Sequence, residues 1–120
     1  MAPRYIGLKR AYEPAADEDG VRILVERLWP RGLSKSDAAL DHWVKDVAPS
    51  PELRTWFGHR PERWQQFRAR YVLELSNNQS AVCSLRNICA GQRVTFVFAT
   101  KDMLHNGAVV LREYLETESD

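Results

Sequence analysis

Val94 to Ala99 (VTFVFA) is apolar at all positions but Thr95, and no other stretch of the chain restricts the fold so severely. A strand with one wet face alternates apolar and polar side chains, whereas an almost unbroken apolar run suits a central strand covered on both faces. Val21 to Glu26 (VRILVE) reads as a second strand, dense in β-branched and aliphatic residues and introduced by the turn signal Asp19-Gly20. Arg4 to Lys9 reads as a short first strand of undetermined direction. Between these two, Tyr12 to Gly20, with Pro14 and the acidic run Asp17-Glu18-Asp19, reads as a solvated loop.

Helices fill most of what remains. Ser34 is a candidate N-cap with Asp37 three residues on, opening a helix that carries Ala38, Leu40 and Trp43 toward the core and ends near Asp46. Ser50-Pro51-Glu52 is a second helix start, and that helix runs through Phe57 to a stop at Gly58. From Pro61 to Leu75, Trp64, Phe67, Tyr71 and Leu75 recur at helical spacing and form an aromatic stripe suited to a core. Ser80 to Cys89 and Gly107 to Glu116 complete the set. A strand followed by helices and a parallel strand makes a right-handed crossover. The expected fold is therefore α/β: a small, mostly parallel three-stranded sheet with helices on both faces, in one domain spanning residues 1–120.

Composition narrows the partners. A chain of 120 residues, 44% hydrophobic, has material for one core. No run approaches the roughly 20 apolar residues of a membrane span, and MAPRYIGLKR lacks the apolar core of a signal peptide, so the expected location is the cytoplasm, away from membranes. A formal net charge of +1 argues against whole-molecule attraction to nucleic acid, which leaves local clusters as the source of any anion preference. Cys83 and Cys89 fall six residues apart in one helix, on different faces and about 9 Å apart along the axis, which rules out a disulfide; both read as buried structural thiols. His42, His59 and His105 share no metal-ligand spacing with one another or with the cysteines, and no glycine-rich phosphate loop or G-x-S-x-G elbow is present. No metal and no cofactor are expected.

Open α/β sheets bind ligands beyond the carboxyl ends of their strands. Two polar segments would share that edge if the second and third strands are parallel: residues 27–35, and Thr100 to Asn106. The first brings Arg27, Arg31 and Lys35 beside the helix start at Ser34, with Trp29 between the arginines. The planar forks of arginine suit carboxylate or phosphate, although the same arginines could pair with Glu26, Asp37 or Asp46 and merely fasten the loop. Ser50 and the free amides behind it are a further anion candidate, and Lys101 adds a cation after the third strand. His59 and His105 are the candidates for acid or base chemistry.

Leu28-Trp29-Pro30-Arg31-Gly32, Ala48-Pro49-Ser50, Trp56-Phe57-Gly58-His59 and the closing LHNGAVVLREYL resemble the YeaO-like family of small bacterial proteins, a domain of unknown function, over nearly the whole chain. The resemblance implies an α/β fold in a bacterial cytoplasm and carries no catalytic residue with it. Glu26 and Gly107 depart from it, standing where aspartate and asparagine are expected.

The functional expectation is a small anionic ligand, phosphate-bearing or carboxylate, at the carboxyl edge of the sheet. Set against it are a non-catalytic protein-interaction module, which four tryptophans favour and which includes self-association, and a single-stranded nucleic-acid binder using Trp29, Trp56, Arg54 and Arg60. The near-neutral charge makes nucleic acid the weakest of the three.

Overall fold

A computed structural model describes residues 5–117. Its frame is a sheet of four parallel strands in the order β1-β4-β2-β3, built from β1 (Tyr5–Arg10), β2 (Val21–Leu24), β3 (His42–Trp43) and β4 (Arg93–Phe98). The first residue of the expected opening strand, Arg4, lies outside the described residues. β4 sits in the interior, pairing Leu8 with Phe96 on one side and Ile23 with Phe96 on the other. Val94 through Phe98 are buried without exception, as an unbroken apolar run demands.

The expected three strands are thus four, and the added one comes from the segment read as a helix. Ser34 does cap a helix, accepting from the Asp37 N–H at 3.0 Å, but α1 spans only Lys35–Ala38. Ala39 turns left-handed at φ 48°, and the Arg22 guanidinium takes up the carbonyls of Ala38 and Ala39 that a longer helix would have bonded internally. The Asp41 carboxylate then accepts the Arg22 N–H at 2.8 Å, drawing the chain alongside β2 in the register Ile23 to His42 and Leu24 to Trp43. Trp43 consequently lies 38% exposed instead of in the core.

The remaining helices are α2 (Pro51–Phe57), α3 (Trp64–Ser76), α4 (Gln79–Cys89) and α5 (Gly107–Thr117). All four press on one face of the sheet, where Ile23, Phe96 and Phe98 meet Phe67, Tyr71, Leu75, Leu85 and Leu111 in the main core. Each large side chain buried there stabilises by about 1.5–3 kcal/mol. The aromatic stripe of α3 is core as expected, with Phe67 stacked on Phe57 at 4.4 Å and the Tyr71 hydroxyl donating to the Val47 carbonyl at 2.5 Å.

The opposite face is thinner. Ala11, Leu24 and Val97 are buried there under Trp29, Leu33 and Leu40, which belong to a loop and the flanks of α1. Below them the acidic run is not all solvated: Asp19 is buried, receiving Arg22 at 2.7 Å and Lys9 at 3.1 Å, while the Thr95 hydroxyl donates to its carbonyl. Gly20 follows at φ 66°, with the Arg93 carbonyl so close that any β-carbon would collide with it. Of the two cysteines, Cys89 is buried, and burial pushes its thiol up to about 11; Cys83 is exposed, contrary to expectation, because it falls on the outer face of α4. No helix among the described residues is long and apolar enough to cross a membrane.

Candidate functional site

Since all the strands are parallel, their carboxyl ends share one rim. The chain leaves β2 toward the thin face, through Trp29, Leu33 and α1, and leaves β4 toward the helical face, into α5. Neighbouring strands whose connections diverge in this way open a crevice, and such a switch point is where ligands bind in open α/β sheets.

Glu26 stands at that crevice on the β2 side, with its carboxylate accepting the Ala99 N–H at 3.2 Å. Burial raises its pKa above the ordinary glutamate range, against the opposing pull of the Ala99 N–H and the nearby Arg54 charge. Arg54 is exposed on α2 and has no hydrogen-bond acceptor among the described residues. On the β4 side, Arg10 donates to the carbonyls of Thr100 at 2.9 Å and Ala99 at 3.1 Å, fixing the strand exit. The Thr100 hydroxyl lies 3.5 Å from His59 Nδ1, a long contact that brings the α2 terminus to the rim.

His105 is held more firmly. Its Nδ1 sits 3.0 Å from Asp102 Oδ2, and its ring packs edge-on against Trp64 at 5.1 Å. Asp102 also accepts the N–H groups of Leu104 and His105, each at 3.0 Å. Desolvation works to raise the Asp102 pKa, but these N–H donors and the imidazole outweigh it and hold the carboxyl below its usual range. The pair orients the ring and closes the turn into α5, where Asn106 accepts from the Val109 N–H at 3.1 Å.

The other sequence candidates are dispersed. Arg27 reaches along the helical face to the carbonyls of Ala48 at 3.2 Å and Pro49 at 3.4 Å, lining an open cleft of about 350 Å³ with Asp46, Glu74 and Asn78. Trp29 goes to the thin face, where its indole N–H donates to Leu33 at 2.6 Å and its ring meets Trp43 edge-on at 5.4 Å. Ser50 caps α2 by accepting the Leu53 N–H, and its own N–H and hydroxyl donate to Glu74 at 2.9 and 2.6 Å. A carboxylate from α3 therefore already occupies that helix start. Arg31, Lys35 and Lys101 have exposed side chains without an ion-pair partner among the described residues. Glu26, Arg10 and Asp102 had no role as ligand contacts in the sequence reading, and Arg54 entered it only as a phosphate contact of the nucleic-acid alternative; the one available signal was position, since Glu26 ends an apolar strand and Asp102 follows another. No cluster of His, Cys, Asp and Glu suited to a metal ion occurs among the described residues.

Comparison with known proteins gives a consistent kinship. Residues 5–120 match the family described as the inactive DUF488-N3 subclade. The chain is 41% identical to the uncharacterised protein YeaO of Escherichia coli K12 over 112 residues, covering 93% of this chain and 97% of that one. Uncharacterised proteins of Mycobacterium bovis and Mycobacterium tuberculosis are each 42% identical over 110 residues, covering 92% of both chains. No solved structure matches. With the match running through nearly every element of the fold, the chain belongs to the YeaO-like family.

Proposed function

We propose that this chain binds a small anionic ligand, phosphate-bearing or carboxylate, at the carboxyl rim of its sheet, and that it acts there as a binding protein without turning the ligand over. The observation that carries this reading is Arg54 at the β2–β4 crevice: its guanidinium lies close enough to Glu26 to influence that carboxyl, yet no acceptor among the described residues engages its donors. An anion entering the crevice would meet this fork beside the His59 ring, while the exposed cations Lys101, Arg31 and Lys35, on the segments that leave β4 and β2, add positive potential around it. Arg27, Trp29 and Ser50 frame the rim in this reading, since their donors already serve Ala48, Leu33 and Glu74. The description of the matched subclade as inactive supports binding over catalysis. So does the Asp102–His105 pair, whose carboxylate is already satisfied by backbone N–H groups.

Thermal unfolding in the presence of phosphate, sulfate, citrate and nucleoside monophosphates tests the proposal. A concentration-dependent rise in Tm is expected for at least one of them, and it should vanish in Arg54→Ala. No shift with any of these anions at millimolar concentration would sink it.

A second reading has its own support. Leu28, Met103 and Leu104 follow β2 and β4 on the same rim and are 58%, 48% and 72% exposed, as the surface of a protein-interaction module would be. Sedimentation of a strict monomer at all concentrations would count against its self-associating form. Nucleic-acid binding is less supported, because the Trp29 ring is packed on the thin face and guanidinium groups lie over the Trp56 ring.

A further inference from the structure

Away from the rim, the junction of α2 and α3 concentrates positive charge. Arg60, Arg63, Arg68 and Arg70 fall within residues 60–70, against Glu62 as the lone carboxylate, in a chain whose net charge is +1. Arg68 is neutralised by Glu113 of α5, and Arg60 lies 3.9 Å from Glu62. Arg63 and Arg70 are different. Both lie over the same indole, that of Trp56, with guanidinium carbons 5.0 and 4.2 Å from its ring centroid, and Arg63 is further held by a hydrogen bond to the Trp56 carbonyl.

Neither Arg63 nor Arg70 has an ion pair among the described residues. For Arg70 the reason is specific. The carboxylate one helical turn along, Glu74, is the ordinary neutralising partner at this spacing, but it turns away to bond the amide and hydroxyl of Ser50. Two like charges are thus gathered on one aromatic ring, which attracts each of them, while their local counter-charge is employed elsewhere. An anion that accepts from both forks would offset the mutual repulsion of the two charges.

We infer that Arg63 and Arg70, positioned by Trp56, form a binding site for a small polyphosphate, a ligand carrying at least two linked phosphate groups. Two linked phosphate groups present one set of oxygens to each fork, whereas a single phosphate has to reach both forks at once. A nucleobase is disfavoured because the guanidinium groups already cover the ring it would stack on. The site is distinct from the rim crevice and does not depend on it.

Calorimetric titration of the full chain with inorganic pyrophosphate at low ionic strength tests this. Wild type should bind, Arg70→Gln should weaken binding about tenfold or more, and Arg70→Lys should recover only part of the loss, because it restores the charge without the fork. Arg93→Gln, at the opposite end of β4, should leave affinity unchanged, and circular dichroism should show Arg70→Gln folded, as expected for an exposed helical position. Absence of pyrophosphate binding by wild type would overturn the inference. So would a loss in Lys101→Gln with none in Arg70→Gln, which would put the anion at the rim. So, finally, would Arg70-dependent binding of a single-stranded oligonucleotide that pyrophosphate fails to displace.

Discussion

On one side of the sheet Ile23, Phe96 and Phe98 disappear beneath four helices; on the other, Leu24 and Val97 are covered by a loop and a single helical turn. The two faces solve the problem of burial differently. The helical face has enough aromatic and aliphatic volume to be sealed by packing alone, whereas the thin face closes its lower half with charge, setting Asp19 between Arg22 and Lys9 and using Arg22 to satisfy the carbonyls of Ala38 and Ala39. A buried pair of this kind contributes little net stability over an apolar replacement, but losing one partner strands the other. That unequal consequence gives the comparison its tests.

The largest effect is expected from Phe96→Ala, which empties the centre of the helical face and should cost about 4 kcal/mol in urea denaturation. A loss below 1 kcal/mol would mean that this face is not the stabilising one. Asp19→Ala should follow at about 3 kcal/mol, because Arg22 would be left buried without its carboxylate. If it costs nothing, the thin face is held by Leu24, Val97 and Trp29 and the ionic description fails. Ser50→Ala removes the α2 cap and one partner of Glu74, for about 1 kcal/mol by the same measurement.

The smallest effects are those of pH, and the two carboxyls have opposite signs. Although desolvation works to raise the Asp19 pKa, the bonds from the Ala16 N–H, Lys9 and Arg22 outweigh it and lower the native value. Its contribution is therefore fully present above the ordinary aspartate range and lost as pH falls through the lowered value. Burial raises the native value of Glu26, so stability declines as pH rises from the ordinary glutamate range to the raised one, then levels off. Denaturation midpoints measured across acid to neutral pH should show Asp19→Asn flattening the acid limb and Glu26→Gln removing the decline. An unchanged profile in Glu26→Gln would show that this carboxyl is no more desolvated than a surface one.

How much of this was legible beforehand follows the same division. The helical face was readable because its signals are local and periodic: the unbroken run of β4, the Trp64–Leu75 stripe and the Ser50-Pro51 start each declare themselves within a dozen residues. The thin face was not. Asp19 looked like part of a wet acidic loop, and Trp43 and Leu40 like one side of a helix, because nothing near them in sequence discloses that Arg22 will take the helix carbonyls and pull His42–Trp43 into the sheet. The rim was half legible. Parallel strands placed their exits together, but Arg27 and Trp29, two residues apart, left for opposite faces, while Glu26 and Ala99, 73 residues apart, met.

Sequence by itself determined the α/β class, the interior strand, the helical core face, the helix caps at Ser34 and Ser50 and the membership of the family, since each rests on short-range periodicity or on residue-by-residue likeness. Tertiary structure alone decided the fourth strand, the exposure of Trp43 and Cys83, the burial of Asp19 and which charges remain without a partner. The reason is that a hydrogen bond or ion pair is settled by whichever partner lies nearest in space. For Arg22, Glu26 and Glu74 those partners come from elements that only the folded sheet brings together.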